Sequence, residues 1–460
     1  MSIIYRHEFE IKVTSDTNTS ASYLVVFLEI DNSVKLKTRP YDKRQVFDFP
    51  IGKSSRLAQD TISVSQSAVD LRDGKQEGFH ETFEPKKLNL ESESTQTSSE
   101  EVHVLDIQKK RRTNLKDVCA SLNQTRHFLT DHRVISRHLV YYQDQDLAFC
   151  NNFKAGSTTM SRMFDFMNMY EKYSSPFDIG WEECSQRQKH PSVKNISEFN
   201  TNFSTSLKVL FVRDPYIRIF SAYMDKLFFP NIYYWIRLGI PIIKKYRDGA
   251  SDKAVVCGHD VSFSETVKYI IDGYDSHSLN EHFVPYHGAC RPCQIQYDII
   301  GRTETSMDDL ELIWNTLENS GTVKVQLPKI ANRSDIENLD DKAGMIYKNR
   351  DRLSRCLSFY DVMKRAWRAF QMRGMIDCSI TMPIKESDVN TTSLDRFKQI
   401  LRQAYQQSNG ELKSQCKRQA IADAYSTVLL EDLRILKQKL EADCELFGYD
   451  AEPNYIFNRS

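Results

Sequence analysis

From about residue 115 the chain repeats one pattern, in which a short apolar run leads through a polar turn into a helical pattern. The apolar runs are residues 147–150, 207–212 and 295–300, and the helical patterns are 160–170, 217–228 and 307–317. Strands that alternate with helices in this way predict a parallel sheet with right-handed crossovers. Ligands of such sheets bind at the carboxyl ends of the strands, so we expect the three turns to converge on one site.

The first hundred residues follow a different pattern. Residues 1–51 contain short alternating stretches that predict a strand or two. Residues 91–101 are rich in Ser, Glu and Thr and have no apolar face, which is typical of a disordered linker. We interpret the basic run at 109–112 as the solvated end of that linker.

Leucines with helical spacing recur between residues 420 and 440 and predict a C-terminal helix, docked on the domain and closed by Phe447, Gly448 and Tyr449. The predicted organisation is an N-terminal extension and disordered linker over 1–110, a catalytic domain over 111–450 and a C-terminal tail over 451–460.

Composition narrows the class of protein. Of the 460 residues 40% are hydrophobic, and 62 basic residues balance 62 acidic ones, which argues against a nucleic-acid-binding protein. An anionic partner would have to be recognised by local clusters of charge. The best apolar run near the N-terminus, residues 21–30, is shorter than the ~20 residues of a membrane helix and contains Glu29. As it stands, the sequence predicts a soluble protein.

Cysteines and sequons bear on the compartment. Cys290 and Cys293 are the close pair among ten cysteines, and one such pair does not predict a zinc site. They can form a short disulfide with each other or pair separately with distant cysteines; a redox-active pair is the weaker alternative. An intracellular protein with ten reduced thiols is one interpretation, and N-x-S/T triplets favour the other, a protein of the secretory lumen. These triplets begin at Asn18, Asn123, Asn195, Asn202, Asn332, Asn390 and Asn458.

The first candidate anion site follows the first apolar run. Gly156 permits a tight turn, and Ser157 or Thr158 is expected to cap the following helix. The first amides of a helix bind anions, and Lys154 adds a positive charge. The order of residues is not that of a Walker A loop. The alternative is an ordinary capped helix start with a surface lysine.

The second candidate anion site follows the second apolar run. Asp214 is expected to cap a helix that has Pro215 at its first position. An arginine fork with a hydroxyl is the usual partner of a phosphate monoester, and Arg213 and Ser221 supply both. In the alternative interpretation, Arg213 forms an ion pair with an acid at the sheet edge, and Ser221 only packs within its helix.

Both motifs resemble those of one enzyme family. Residues 154–158, Lys-Ala-Gly-Ser-Thr, resemble the 5′-phosphosulfate loop of the carbohydrate sulfotransferases, and residues 213–223 resemble their 3′-phosphate motif. The resemblance is strongest to the branch with the chondroitin and dermatan 4-O-sulfotransferases and the glucuronyl-glycan 3-O-sulfotransferase. Segments 280–304 and 443–449 also resemble this branch, so the similarity covers roughly residues 115–450.

The resemblance implies a P-loop-like parallel β-sheet flanked by helices, which is the fold of sulfotransferases that use 3′-phosphoadenosine 5′-phosphosulfate (PAPS). It implies that Lys154 contacts the 5′-phosphate and the bridging oxygen, and that Arg213 and Ser221 hold the 3′-phosphate. The loop would bind the same 5′ group through Ala155, Gly156, Ser157, Thr158 and Thr159. Phe153 and Met160 depart from the family, in which many members have Pro and Trp.

The resemblance also implies localisation in the Golgi lumen or membrane. Most members begin with a signal-anchor helix, which is not visible in this sequence, so an incomplete N-terminus remains open. The implied acceptor is an anionic glycan, with N-acetylgalactosamine in a chondroitin- or dermatan-type chain as the sugar. A stretch of five basic residues either contacts this acceptor or lies on a solvated helix face. These residues are Lys226, Arg237, Lys244, Lys245 and Arg247.

Sulfuryl transfer needs a base for the acceptor hydroxyl but no metal, and the sequence predicts no metal ligands. His282 is the candidate base, with Glu281, His287 and Glu304 as alternatives. Two rival functions are a nucleotide-phosphate kinase, for which a Walker A loop and acidic Mg²⁺ ligands are missing, and a non-catalytic glycan-binding protein that retains the fold.

Overall fold

The computed structural model describes residues 99–125, 138–188, 196–276, 278–328 and 333–458, together with three strands nearer the N-terminus. The chain divides into two compact units, residues 1–81 and 82–460. In the first unit three strands form one antiparallel sheet, where one or two strands were predicted. They are β1 (Glu8–Ile11), β2 (Leu24–Ile30) and β3 (Leu36–Pro40), and they lie in that order. Residues 91–98 of the predicted linker lie outside the described residues.

The second unit is built on a four-stranded sheet with the order β4-β5-β6-β7. Its strands are β4 (Leu139–Tyr142), β5 (Leu147–Cys150), β6 (Leu207–Val212) and β7 (Ile299–Arg302). The last three strands are parallel, and β4 runs antiparallel to β5. Every residue of β5 and β6 is buried, as expected for a parallel sheet covered on both faces. The predicted α/β class is confirmed.

Helices cover the sheet and extend into a large C-terminal region. In chain order the described helices are α1 (Ser99–Thr125), α2 (Ser157–Met169), α3 (Trp181–Arg187), α4 (Ile196–Asn202), α5 (Pro215–Tyr223), α6 (Ile232–Tyr234), α7 (Ile240–Tyr246), α8 (Asp252–Cys257), α9 (Phe263–Ser276), α10 (Tyr286–Cys290), α11 (Ser306–Asn319), α12 (Arg333–Lys348), α13 (Arg350–Leu353), α14 (Phe359–Met372), α15 (Leu394–Gln407), α16 (Gly410–Ser426), α17 (Leu430–Phe447) and α18 (Asn454–Phe457). Two π-helical turns, Met224–Phe228 and Trp235–Gly239, continue α5 and α6. No helix within these described ranges is long and apolar enough to cross a bilayer.

The turns after β5 and β6 differ in how their helices begin. Asp214 caps α5 by accepting the Ile217 N–H at 2.9 Å, with Pro215 at the first helical position, as predicted. The cap predicted for α2 was wrong, because Gly156 occupies the N-cap with a φ of 80° and no side chain caps the helix. Ser157 is instead the first residue of α2, which leaves its hydroxyl available to a ligand.

The third predicted strand begins later than expected. Residues 295–298 lie outside β7, because Ile295 N–H donates to the carbonyl of Arg291 in a turn that precedes the strand. Arg291 itself adopts a left-handed conformation at the end of α10. The apolar run at 295–300 therefore predicted that a strand is present, but it did not predict the residue at which the strand begins.

The basic run at 109–112 lies within α1, so its interpretation as a solvated linker end was wrong. Arg111 forms an ion pair with the buried Asp309 at 2.7 Å, and Arg112 donates to the carbonyl of Asp298 at 2.8 Å. Both contacts are to residues nearly two hundred positions away, which local composition does not reveal. The predicted boundary at 110/111 falls inside this helix.

Four disulfides cross-link the second unit. They join Cys119 to Cys293, Cys150 to Cys290, Cys257 to Cys356 and Cys378 to Cys416. Cys290 and Cys293 therefore do not bond to each other. Each bonds to a distant cysteine, which is the second of the two pairings considered. The bond between Cys150 and Cys290 ties the end of β5 to the end of α10.

The predicted C-terminal helix is two helices, because the chain turns at residues 427–429 between α16 and α17. Leu433, Leu436 and Leu440 are buried on α17, as their spacing predicted, whereas Leu429 and Leu430 are exposed. The helix ends at Phe447, where Gly448 takes a φ of 63°. This left-handed cap suits glycine and closes the helix at the predicted place.

Candidate active site

A cleft of about 250 Å³ opens at the carboxyl ends of β5 and β6. The predicted anion-binding residues that line it are Lys154, Gly156, Ser157, Thr158, Thr159, Arg213 and Ser221. Ala155 is buried and does not line the cleft. Residues that sequence reasoning missed complete the wall, and these are Phe220, Ser334, Asp335, Asn338, Arg373, Met375 and Lys417.

Three lysines converge on one buried carboxylate, that of Asp225, beside the part of the cleft that Lys154 lines. Lys154 Nζ donates to Asp225 Oδ2 at 2.9 Å, and Lys226 Nζ lies 3.1 Å from the same oxygen. Lys342 Nζ donates to the other oxygen, Oδ1. Lys154 reaches this position from a left-handed backbone conformation, with a φ of 69°, which is uncommon for a residue with a side chain. We call this group the Asp225 cluster.

The Asp225 cluster shifts the ionisation of its members. Burial lowers the pKa of Lys154 to about 7, with the attraction of Asp225 opposing that shift and the neighbouring lysines adding to it. Burial alone would raise the pKa of Asp225, but Lys154, Lys226 and Lys342 hold it well below its usual range. A lysine that exchanges its proton near neutral pH can adjust its charge to what binds beside it.

A second cationic group lines the other part of the cleft. Arg213 forms no ion pair within the described residues, which disfavours its pairing with a sheet-edge acid; its Nη1 donates to the carbonyl of Lys154 at 3.4 Å. Arg373 Nη1 and Asn338 Oδ1 are buried, and neither has a hydrogen-bond partner in the described part of the chain. Burial lowers the pKa of Lys417 to about 8, and the positive charge of Arg213 adds to that effect. Unsatisfied buried polar groups of this kind point to a missing polar ligand.

His282 lies against the lysine end of this site. Its ring packs against that of Phe153, the residue before Lys154, with the centroids 4.6 Å apart and the planes tilted by 36°, and it meets the Tyr234 ring edge-on at 5.5 Å. Nδ1 lies 2.8 Å from Asn280 Oδ1, an acceptor, so Nδ1 carries the proton and Nε2 carries the lone pair. Burial, followed by the charges of Lys226 and Lys154, holds the pKa of His282 well below its ordinary value. The imidazole is therefore neutral.

The alternative bases occupy other environments. His287 Nδ1 lies 2.8 Å from Asp443, and its Nε2 lies 3.2 Å from the Tyr274 hydroxyl, so both ring nitrogens are engaged. Glu304 accepts a hydrogen bond from the Tyr449 hydroxyl at 3.1 Å. The Glu281 carboxylate lies 3.9 Å from His282 Nδ1 and is partly exposed. Within the described ranges Nε2 of His282 has no hydrogen-bond partner, so His282 is the candidate consistent with a base.

Arg218, which sequence reasoning missed, holds the two sides of the site together. Its guanidinium donates to the carbonyl of Phe153 at 3.1 Å and to that of Val284 at 2.6 Å, and it stacks over the Tyr286 ring. Arg218 thereby fixes the loop that carries Lys154 against the segment that carries His282. Its place inside the motif between Arg213 and Ser221 was the available signal.

The basic stretch considered for the acceptor is not one cationic surface. Lys226 belongs to the Asp225 cluster, Lys245 pairs with Asp272 at 2.8 Å, and Arg247 pairs with Glu265 at 2.7 Å. Each of these three residues is paired with an acid, so the hypothesis that they meet the acceptor stays a prediction with less support than before. Arg237 and Lys244 remain exposed.

Comparison with known proteins decides the family. The model of the sulfotransferase family matches residues 137–353. Carbohydrate sulfotransferase 11 of Rattus norvegicus is 30% identical to this chain over 56% of the chain and 72% of the relative. The chain is a member of the carbohydrate sulfotransferase family. Sulfotransferases with similar sequences include carbohydrate sulfotransferase 9 of Homo sapiens and carbohydrate sulfotransferase 14 of Danio rerio. The human enzyme is 29% identical to this chain over 56% of the chain and 59% of the relative. The Danio rerio enzyme is 26% identical over 50% of the chain and 62% of the relative.

No solved structure matches this sulfotransferase. The family assignment makes the protein an enzyme that sulfates carbohydrate, as the resemblance implied, and sets aside the kinase and the non-catalytic interpretations. The region matched by the family model contains Lys154, Arg213, Asp225 and His282. Arg373 and Lys417 lie beyond it, although they line the same cleft.

Proposed function

We propose that this sulfotransferase transfers a sulfuryl group from PAPS to a hydroxyl of N-acetylgalactosamine in a chondroitin- or dermatan-type chain. The observation that carries the proposal is one cleft with a cationic group at each of two positions, around Lys154 and around Arg213. PAPS carries phosphate groups at both its 5′ and 3′ ends and therefore matches two cationic sites. The choice of acceptor rests on the resemblance to the 4-O-sulfotransferase branch.

In this proposal the donor is held by charge and by the helix start. Lys154 and the loop 155–159 bind the 5′-phosphosulfate, while Arg213 and Ser221 bind the 3′-phosphate. The unpartnered Nη1 of Arg373 supports the fit, because a buried guanidinium nitrogen without an acceptor is costly until an anion binds. When bound, PAPS supplies the activated sulfuryl group. No metal is needed.

His282 acts as the general base. Its Nε2 takes the proton of the acceptor hydroxyl as the hydroxyl oxygen bonds to sulfur. Lys154 neutralises the charge left on the phosphate oxygen when the bond from that oxygen to sulfur breaks. Lys226 and Lys154 lower the pKa of His282, and a bound anion opposes their charge. The ring therefore becomes a stronger base once the donor is in place.

We propose that the enzyme works in the Golgi lumen, associated with the membrane. Four disulfides support an oxidising compartment, since such bonds are rare in the cytosol. Asn202, Asn390 and Asn458, each the first residue of an N-x-S/T triplet, are exposed and accessible to glycosylation.

The test is transfer of label from PAPS to a panel of desulfated chondroitin, dermatan and glucuronyl-glycan acceptors. We expect transfer to the N-acetylgalactosamine of chondroitin or dermatan. His282→Ala should lower kcat by about 10²–10⁴-fold, the usual contribution of a general base. Binding of adenosine 3′,5′-bisphosphate should be unchanged.

His287→Ala serves as the matched control, because that histidine is engaged with Asp443 and Tyr274. Normal turnover in His282→Ala would rule out the assigned base. Label on a different sugar would correct the acceptor and leave the donor site in place. Absence of transfer to every glycan would refute the proposed function.

A further inference from the structure

An exposed Tyr–Arg pair lies beside the candidate base. The Tyr233 and Arg237 side chains are exposed, and they follow Asp225 and Lys226 of the Asp225 cluster closely in sequence. We propose that Tyr233 and Arg237 form a subsite that binds an acidic group of the glycan acceptor next to the sugar being sulfated. This inference rests on the proposed function and names a site for its substrate.

Ring contacts connect the pair to His282. The Tyr233 and Tyr234 rings are 5.0 Å apart, and the Tyr234 ring meets that of His282 at 5.5 Å. Lys226 Nζ lies 4.6 Å over the Tyr234 ring, so Tyr234 also touches the Asp225 cluster. Two ring contacts therefore connect the exposed Tyr233 to the candidate base.

The Tyr233–Arg237 pair presents a positive charge and N–H donors that can bind an anion. The Arg237 guanidinium lies 4.5 Å over the Tyr233 ring, and its Nη1 donates to the Tyr233 hydroxyl at 2.8 Å. No acid pairs with Arg237 among the described residues, whereas Lys245 pairs with one acid and Arg247 with two. An arginine oriented on an aromatic ring keeps its remaining N–H donors for a carboxylate or sulfate. The exposed ring offers an apolar surface to the sugar.

The backbone beneath the pair is rigid and unusual. Arg237 lies in the π-helical turn Trp235–Gly239, a geometry often found at functional sites. A Cβ on Gly239 would collide with the carbonyl oxygen of Gly258, and a Cβ on Gly258 would collide with that of Trp235. Trp235 Nε1 donates to the carbonyl of Leu227 at 2.9 Å, in the neighbouring π turn. The turn is therefore fixed before any acceptor arrives.

The experiment compares acceptors with and without carboxylates. In Arg237→Ala we expect the KM for chondroitin to rise about tenfold, the effect of losing one charge-assisted interaction at an exposed site. The kcat and the KM for PAPS should be unchanged. For carboxyl-reduced chondroitin the variant and the wild type should have the same KM. Tyr233→Ala should raise the KM for both acceptors, because the ring contacts the sugar.

Lys244→Ala is the matched control, since it removes an exposed positive charge seven positions from Arg237. An unchanged KM in Arg237→Ala, or an equal rise with the carboxyl-reduced acceptor, overturns the subsite. An equal rise in Lys244→Ala also overturns it, because general attraction would then suffice. If the wild type transfers sulfate to no glycan, the proposed function fails and this inference with it. An active wild type with an unaffected Arg237→Ala refutes the subsite alone.

Discussion

The substitution Asp225→Asn tests the electrostatic design of the active site. Asp225 is buried, and its carboxylate is the shared partner of Lys154, Lys226 and Lys342. Asparagine keeps the shape of the side chain but removes its charge. Three ammonium groups then lie close together without the counter-charge that holds them.

The magnitude follows from burial and from the pKa of Lys154. Removing one partner of a buried ion pair destabilises a protein by about 3–5 kcal/mol. Lys154 has a pKa of about 7 and releases its proton at little cost near neutral pH. That release reduces the repulsion, so we expect the free energy of unfolding to fall by about 3 kcal/mol, the lower end of that range.

An anion should restore much of this loss. In the variant a bound phosphate takes the place of the missing carboxylate as the counter-ion of the three lysines. Urea unfolding with and without saturating adenosine 3′,5′-bisphosphate measures the effect. The wild type gains the stability expected from mass action, and Asp225→Asn should gain more.

Asp443→Asn supplies the control for this experiment. Asp443 is also buried and accepts hydrogen bonds from the Tyr286 and His287 backbone N–H groups at 2.6 and 2.9 Å, but among the described residues it forms no ion pair with a lysine of the Asp225 cluster. Its variant should lose stability without any extra rescue by the bisphosphate. The reasoning is refuted if Asp225→Asn is as stable as the wild type, or if the bisphosphate stabilises both by the same amount.

Two further predictions concern pH and a disulfide. Because Lys154 is charged below its pKa of about 7, the affinity for adenosine 3′,5′-bisphosphate should fall as the pH rises above that value, approaching tenfold per unit. Calorimetry of Lys154→Arg should show only the later fall from Lys417, whose pKa is about 8. A Lys154→Arg profile identical to that of the wild type would contradict this. Replacing Cys257 and Cys356 with serine opens a loop spanning 99 positions, so urea unfolding should show a loss of about 2–5 kcal/mol. An unchanged unfolding midpoint would argue against it.

Local patterns in the sequence predicted the parts of the site that depend on neighbouring residues. Three of these parts each depend on a few consecutive residues: the strand β6, the cap at Asp214 and the turn at Gly156. A single sequence is therefore enough to predict them. The cap of α2 was misassigned because serine and threonine fit either the N-cap or the first turn. In the structure glycine takes the N-cap, since the loop needs a left-handed conformation there.

The contacts that tune the site could not be predicted in the same way. Asp225 lies 71 positions from Lys154 and 117 from Lys342, so no window of sequence shows that they meet. An acid within the largely apolar segment after Ser221 was the only local sign. The ion pair of Arg111 with Asp309 and the disulfide of Cys150 with Cys290 are equally remote, which is why the linker interpretation and the short disulfide were weak predictions.

The distribution of charge around the cleft explains how a protein with no net charge can bind a highly anionic donor. The lysine end lies in the region matched by the family model and contains its own acid, Asp225, which keeps Lys154 in place while the site is empty. The other end takes Arg373 and Lys417 from the helices beyond that region, and the Arg373 nitrogen has no partner in the described residues. One carboxylate only partly offsets three lysines, so the lysine end keeps a net positive charge for the proposed 5′-phosphosulfate. At the other end Asp335 lines the cleft together with Arg373 and Lys417, so the proposed 3′-phosphate would also bind where the cations outnumber the acid.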